Sequence, residues 1–167
     1  MMYRLRPWQD ADAFEAAELV SSNISRFMSD AFPGNDVEKW QKFIRKAHEN
    51  PSAFYRVIEV DGKFAGNIGV LICNDILRMN AELGYWIGDQ YKCRGIMTEA
   101  VKEMVQLVFE NFSVTRIYAT PFGNNFASQR VLEKAGFTLE GMFEKIYIKN
   151  GMKQDELVYA NRKKLKL

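Results

Sequence analysis

Apolar and polar positions in the first part of the chain follow two periods, one typical of strands and one of helices. Residues 3–7 read as a short strand, and apolar residues at helical spacing then predict helices over residues 10–22 and 35–50. An aspartate near the start of the first helix is expected to cap it. Asn50 and Pro51 are expected to end the second helix.

The middle of the chain has the period of β-strands. Residues 53–60 and 63–73 flank an Asp-Gly-Lys turn at positions 61–63, the strongest hairpin signal in the sequence. Residues 80–88 are predicted to form the next strand. The short connection before this strand favours antiparallel pairing with its predecessor.

The rest of the chain alternates helices with strands. A helix is predicted over residues 98–112, a strand over 116–122, and a shorter helix over 125–137 that Gly136 stops. A strand, a helix and a strand in succession favour a parallel pair joined by a helical crossover. The chain is then predicted to finish in a hairpin about Asn150–Gly151.

Length and composition set the class of protein. The chain has 167 residues, which is enough for one compact domain with a real core, so we predict a single α/β (α+β) domain over residues 1–167. A net charge of +2 is too small for broad affinity for nucleic acids or membranes, so any anion site must be local. No uncharged apolar stretch reaches membrane-spanning length.

Cysteine usage bears on the compartment and on metals. Cys73 and Cys93 are the only cysteines, and they lack the pair spacing of a zinc site. We therefore expect no bound metal and a reducing, cytoplasmic setting.

The stretch "ELGYWIGDQYKCRGIMTEA" (82–100) suggests a site for an anion. A strand there feeds a helix through Gly95, so free backbone N–H groups and the positive end of the helix dipole meet at one place. Lys92 and Arg94 add positive charge, which suits phosphate or pyrophosphate. Taken alone, the stretch is equally explained as a tight turn. The loops typical of P-loop NTPases and nicotinamide dehydrogenases are absent.

A second motif, "NNFASQRVLEKAGFTLEG" (124–141), directly follows the second parallel strand. With a strand ending in Trp-Ile-Gly before a glycine turn, and an N-x-x-S-x-x-V-L-E-K-x-G-F helix after it, the chain resembles the GNAT N-acetyltransferases and their RimJ/RimL-like branch. The resemblance implies a single-domain GNAT fold, in which a mixed central sheet contains a splayed parallel strand pair and is flanked by helices. It also implies acetyl-CoA as the acetyl donor.

The resemblance assigns binding roles to three segments. The strand around Trp86 pairs with the pantetheine amides, and a backbone N–H near Ile87 binds the thioester carbonyl. Residues 93–98 hold the pyrophosphate. Polar residues of the later helix contact the pantetheine. The expected cofactor-binding residues are Tyr85, Trp86, Ile87, Lys92, Cys93, Arg94, Gly95, Ile96, Met97, Thr98, Asn125 and Ser128.

Two positions depart from the family pattern. Lys92 stands where glutamine or arginine is usual, which keeps the charge. Met97 stands where glycine or alanine is usual, so its side chain must point away from the pyrophosphate. A weaker or reshaped cofactor site is the alternative.

The resemblance also frames the catalytic residues. Glu82 is expected to act through a water as the base, with an ordinary solvated glutamate as the alternative. The family's tyrosine acid is replaced by Leu132. Ser128 is the best remaining acid, although simple hydrogen bonding at the helix start explains it equally well. Tyr118 and Tyr147 are further candidates.

These expectations add up to a cytoplasmic N-acetyltransferase that favours a protein N-terminal α-amino group as acceptor. A small-molecule amine (a polyamine, an amino acid or an antibiotic) is the enzymatic alternative. A non-catalytic CoA-binding module is the other alternative, motivated by Leu132 and Met97. No direct binding to nucleic acids or membranes is expected, and the oligomeric state is left open between a monomer and a homodimer. Trp8, Trp40 and Phe43 are interpreted as packing residues rather than as an acceptor groove.

Overall fold

The structure is a computed structural model that describes residues 2–164. Residue 1 and residues 165–167 of the predicted domain lie outside the described residues. The strands are β1 (Tyr3–Arg6), β2 (Ala53–Val60), β3 (Lys63–Ile72), β4 (Asn80–Ile87), β5 (Arg116–Ala119), β6 (Thr138–Lys149) and β7 (Met152–Arg162). The helices are α1 (Asp12–Leu19), α2 (Ser22–Ser25), α3 (Val37–Glu49), α4 (Ile96–Asn111) and α5 (Phe126–Lys134).

All the strands form one seven-stranded sheet in the order β1-β2-β3-β4-β5-β7-β6. β4 and β5 are parallel, and every other neighbouring pair is antiparallel. The parallel pairing starts at Asn80↔Arg116 and stops at Glu82↔Tyr118, whereas β4 runs on to Ile87. The predicted mixed sheet with a splayed parallel pair is confirmed.

The core lies on both faces of the sheet because side chains alternate along each strand. On one face, Ala81, Leu83 and Ile87 of β4 pack in a cluster with the buried side of α4. On the other face, Trp86 packs in a cluster with α1 and α3. In residues 2–164, no helix is long and apolar enough to cross a membrane, and no group of three or more His, Cys, Asp or Glu side chains is arranged to hold a metal ion.

Aromatic residues dominate the α1 and α3 side. Trp8 and Trp40 stack with ring centroids 5.6 Å apart, and Trp86 lies 5.7 Å from Trp40. The Trp8 indole N–H donates to Asn67 Oδ1 at 3.1 Å, and Phe43 packs edge-on against Trp8 and Trp40. Trp8 and Trp40 are buried, which confirms their interpretation as packing residues.

The helix predicted over residues 10–22 is wrong in its length and in its cap. It divides into α1 and α2 because Val20 is extended, and the Asn35 side chain donates to the carbonyl groups of Ala17 and Val20 at 2.8 Å. The expected aspartate cap is not formed. Asp12 instead accepts two bonds from the Arg6 guanidinium at 2.8 Å, so it joins β1 to the helix as a buried ion pair.

Candidate cofactor cleft

A cleft of about 870 Å³ opens between the second half of β4, the turn that leads into α4, and the outer side of α5. Every residue predicted to bind the cofactor lines it. Further lining residues were not predicted, among them Asn23, Ile24, Arg26, Phe27 and Met28 from around α2. Sequence patterns did not reveal this segment because the first predicted helix ended at residue 22 and no element was predicted between it and residue 35.

The backbone of β4 presents an open edge to this cleft. The Gly88 N–H donates to the Ala65 carbonyl at 2.8 Å, toward β3. Because backbone groups alternate sides along a strand, those of Ile87 and Tyr85 face the β5 side, where pairing has already ended at Glu82. Such groups need a partner, and an extended amide chain can supply one by pairing as a further strand.

Gly66 allows β3 to approach this part of β4. A Cβ atom at position 66 would lie 2.2 Å from the Trp86 carbonyl oxygen, well inside van der Waals contact. Only glycine therefore permits the observed separation of the two strands. The close contact holds β4 against β3 while its other edge stays open.

The turn after β4 ends in a left-handed residue. Gly95 has φ +78° and is the N-cap of α4, so the helix begins at Ile96, two residues before the predicted start at Thr98. The Gly95 carbonyl accepts the first helical bond from the Glu99 N–H at 3.2 Å. The N–H groups of residues 96–98 have no acceptor within the helix and, with the helix dipole, present positive potential of the kind that suits an anion.

The side chain of Met97 points into the core, which is the direction expected for it. Only 7% of its surface is exposed, and it belongs to the core cluster under α4. The bulk of the methionine therefore packs into the core, and its backbone N–H stays in the first turn of the helix.

Lys92 differs from expectation because its charge is already matched. Its ammonium group is hydrogen-bonded to Asp89, which also accepts a bond from the Ser21 hydroxyl at 2.6 Å. The bond from Lys92, and to a lesser extent the bond from Ser21, lowers the pKa of Asp89 below its usual range. Arg94 is exposed and makes no ion pair within residues 2–164. The positive charge of the turn itself therefore comes from Arg94.

The other wall of the cleft begins at the N-terminus of α5. Asn125 is its N-cap and accepts a bond from the Ser128 N–H at 3.2 Å. The Ser128 hydroxyl lies 2.8 Å from the Tyr85 hydroxyl, which also donates to the Ser128 carbonyl at 3.3 Å. Burial raises the pKa of Tyr85 above its usual range, so this tyrosine keeps its proton. Leu132 is fully buried and takes no part in the cleft surface.

The Tyr85–Ser128 pair was not predicted, because Tyr85 was assigned a backbone role. A signal for it exists in the sequence. Tyr85 is two residues from Leu83 and two from Ile87 along β4, so all three side chains lie on the same face, the α4 and α5 side of the sheet.

Glu82 lies outside the cleft, on the opposite face of the sheet. It is exposed and stands at the point where β4 and β5 part, beside Tyr118. Burial raises the pKa of Tyr118 to about 12, and the nearby Glu82 charge adds to this effect. The same two causes raise the pKa values of Tyr55 and Glu156 above their usual ranges. Glu156, on β7, was not predicted as a neighbour of Glu82.

The sheet surface next to Glu82 is open at Gly84. The Tyr55 ring lies across Gly69, where a Cβ atom would be 1.9 Å from Tyr55 Cδ1. Gly84 is the partner of Gly69 on β4, and a Cβ atom there would meet nothing within 4 Å. The part of the sheet surface formed by Tyr55, Gly69, Gly84 and Glu82 is called the Gly84 patch below.

The remaining acid candidates lie away from the cleft. The hydroxyl of Tyr118 and the Cys73 sulfur are 3.9 Å apart, and the Tyr147 ring packs against Phe122 with centroids 5.4 Å apart. Neither tyrosine lines the cleft. Of the candidates for the acid, Ser128 alone does so.

Comparisons with known proteins agree on one family. The sequence profile of a family described as "Acetyltransferase (GNAT) domain" matches residues 3–138. The putative ribosomal N-acetyltransferase YdaF of Bacillus subtilis is 25% identical over 93% of this chain and 88% of its own length. The [ribosomal protein uS5]-alanine N-acetyltransferase of Escherichia coli is 27% identical over 90% and 82%. The match to the probable N-acetyltransferase YjcK of Bacillus subtilis is 38% identical and spans 56% of this chain but only 53% of that protein.

A solved structure gives the same result. The microcin C7 self-immunity acetyltransferase MccE, in complex with acetyl-CoA and AMP, superposes with a TM-score of 0.83 at 26% identity. The match covers 96% of this chain and 92% of that one.

Substitutions of Gly95 test the anion site in the turn. We expect Gly95→Asp to abolish acetyl-CoA binding, because it adds a negative charge where the helix N-terminus would receive the pyrophosphate. Gly95→Ala is the matched control, since a Cβ atom there meets nothing within 4 Å. It introduces only the backbone strain of a left-handed alanine, which lowers the stability of the fold by about 1–2 kcal/mol in the free and the bound protein alike, so the affinity should stay within about tenfold of the wild-type value. Isothermal titration calorimetry measures both, and unchanged affinity in Gly95→Asp would contradict the assignment.

Proposed function

Because the chain belongs to the GNAT family of acetyl-CoA-dependent N-acetyltransferases, we propose that its acceptor is the α-amino group of a protein N-terminus. Its relatives and the MccE structure bear out the predicted resemblance to this family and its RimJ/RimL-like branch, with acetyl-CoA as the donor. The observation that carries the acceptor proposal is the Gly84 patch, where a Cβ atom at Gly84 would meet nothing within 4 Å and the Glu82 side chain is exposed. The names of YdaF and the uS5-alanine enzyme support a protein acceptor.

In this proposal the open edge of β4 holds the donor. The backbone groups of Tyr85 and Ile87 pair with the pantetheine amides, and the N–H groups of residues 96–98 hold the pyrophosphate. The Ile87 N–H donates to the thioester carbonyl oxygen and stabilises the negative charge that develops there. Asn125 fixes the start of α5 and so the position of Ser128.

Glu82 acts as the base for the acceptor on the opposite face. An α-amino group has a reference pKa of about 7.7–8.0, against about 10.4 for a lysine side chain, so it loses its proton far more easily near neutral pH. A carboxylate that acts through one water suffices for such an amine. The position of Glu82 supports this role, because Glu82 is the last β4 residue paired with β5 and lies next to the start of the open β4 edge.

Ser128 acts as the acid for the leaving thiolate, with Tyr85 behind it. Either hydroxyl of the pair can donate across their 2.8 Å contact. When Tyr85 donates, the Ser128 proton is free to move to the sulfur. The Tyr85 hydrogen bond then stabilises the serine oxygen until a proton from solvent restores the hydroxyl. The raised pKa of Tyr85 keeps the tyrosine protonated and able to donate.

A small polycationic amine is the second candidate for the acceptor. A polyamine site would need acidic side chains whose charge is not already matched. Glu140 is held by Arg116 at 2.6 Å and by Arg162 at 2.7 Å, so its charge is matched. Glu156 is the acidic residue whose pKa is raised by burial and, after it, by the Glu82 charge. A cytoplasmic location, a lack of nucleic-acid binding and the choice between monomer and homodimer stay predictions.

Substitutions of the hydroxyl pair test the acid. We expect Ser128→Ala to lower kcat about 100-fold with little change in acetyl-CoA affinity, because a proton donor to the thiolate is lost. Tyr85→Phe should lower kcat by a smaller factor, about tenfold, because it removes only the group behind the serine. Ser113→Ala, an exposed serine outside the cleft, is the matched control. Steady-state kinetics measures these effects, and full activity in Ser128→Ala would remove this residue from the mechanism.

Two peptides test the acceptor. One has a free N-terminus and no lysine, and the other has a blocked N-terminus and one lysine. We expect release of the CoA thiol with the first peptide only, because its amine is neutral in a larger fraction at pH 7.5. Faster turnover of the blocked peptide would overturn the proposal. Turnover of spermidine or free amino acids alone would favour a small-molecule acceptor, and acetyl-CoA binding without any turnover would favour the non-catalytic module.

A further inference from the structure

The cleft concentrates positive charge in a chain whose net charge is only +2. The cationic side chains that line it are Arg26, Lys92, Arg94, Arg130 and Lys134. Asp89 is the acidic side chain of this lining, and it is bound to Lys92. The cleft therefore offers more positive charge than a pyrophosphate at the start of α4 requires.

Two of these cations belong to α5 rather than to the turn. Arg130 and Lys134 are four residues apart, so they lie on the same side of the helix, one turn from each other. Both are exposed, and both face the cleft from the wall opposite Gly95. No role in the proposed reaction has been given to either residue.

The present contacts of the pair leave it free to bind an anion. Arg130 contacts Glu133 at 3.1 Å, with side chains that are 67% and 46% exposed. Exposed ion pairs of this kind contribute little and exchange readily for a better partner. Lys134 makes no ion pair in the part of the chain that the structure describes.

The order of residues along α5 indicates which part of CoA meets the pair. Ser128 contacts Tyr85, on the part of β4 assigned to the pantetheine and thioester. Arg130 and Lys134 follow at about 1.5 Å per residue, so Lys134 lies roughly 9 Å further along the same wall. A donor with its thioester near Tyr85 and its pyrophosphate at residues 96–98 directs its adenosine end past this part of α5.

CoA carries a third phosphate at this end, on the 3′ oxygen of its ribose. A phosphate monoester carries a charge of about −1.5 to −2 near pH 7 and three strong acceptor oxygens. Arginine and lysine are the side chains that bind such a group through charge-assisted hydrogen bonds. We propose that Arg130 and Lys134 form a 3′-phosphate subsite, by which the protein selects CoA over 3′-dephospho-CoA. The proposal rests on the binding of acetyl-CoA in the cleft.

Calorimetric titration with CoA and with 3′-dephospho-CoA tests the subsite. We expect the wild-type protein to bind CoA at least tenfold more tightly than the dephospho form, because two charge-assisted contacts are lost with the phosphate. The double variant Arg130→Gln/Lys134→Gln should bind both ligands equally, with the affinity for dephospho-CoA unchanged. Arg45→Gln/Lys102→Gln removes the same charge from exposed positions outside the cleft and should keep the preference.

The outcomes separate the subsite from the proposed function. Equal wild-type affinity for the two ligands, or a preference that survives in the Arg130→Gln/Lys134→Gln variant, would overturn the subsite while leaving acetyl transfer intact. A preference lost in the Arg45→Gln/Lys102→Gln variant would also overturn it, since the effect would then be one of net charge. Failure of the wild-type protein to bind either ligand would overturn both the subsite and the proposed binding of the donor.

Discussion

The early end of the pairing between β4 and β5 is the constraint on which the site depends. After Glu82↔Tyr118 the two parallel strands part, and β4 continues alone on that side to Ile87. A buried backbone polar group without a partner costs about 1–3 kcal/mol, so this edge requires water or a ligand. The tight contact at Gly66 keeps the other edge of β4 fixed on β3, so the opening is held in place by the rest of the sheet.

The same strand separates the two halves of the proposed reaction. Tyr85 lies on the α5 side with Ser128, whereas Glu82 and Gly84 lie on the opposite face. Glu82 and Tyr85 are three residues apart, and side chains an odd number of residues apart along a β-strand lie on opposite faces of the sheet. In the proposed mechanism the acceptor loses its proton on one face, and the thiolate gains a proton on the other. Acyl transfer takes place where the strands part, the point at which both faces are reached.

Features that depend on local sequence were predictable. The Gly95 turn is set by residues within one helical turn, and it lies where the sequence indicated, although α4 begins at Ile96 rather than at Thr98. The break after α1 was not predictable, because Asn35, far along the chain, holds the carbonyl groups that end it. The pairing of Lys92 with Asp89 is also local, because the two residues are three positions apart in one turn.

Contacts across the sheet were the hardest to predict. Glu156 approaches Glu82 only because β7 pairs with β5, an order of strands that no local pattern reveals. Ser128 is 43 residues from Tyr85 along the chain, and the two meet because α5 packs on the face of β4 that carries Tyr85. Such contacts depend on tertiary packing, so the sequence indicated the residues that line the cleft far better than the neighbours of Glu82.

Amide hydrogen exchange with and without acetyl-CoA measures the open edge most directly. Binding along β4 should slow exchange in peptides that cover residues 83–98, where the Tyr85 and Ile87 amides and the first turn of α4 gain partners. Peptides from β2, which pairs with a strand on each side and lies away from the cleft, should exchange as before. Protection confined to other segments, or unchanged exchange over residues 83–98 at saturating acetyl-CoA, would contradict the assignment of β4 as the donor-binding strand.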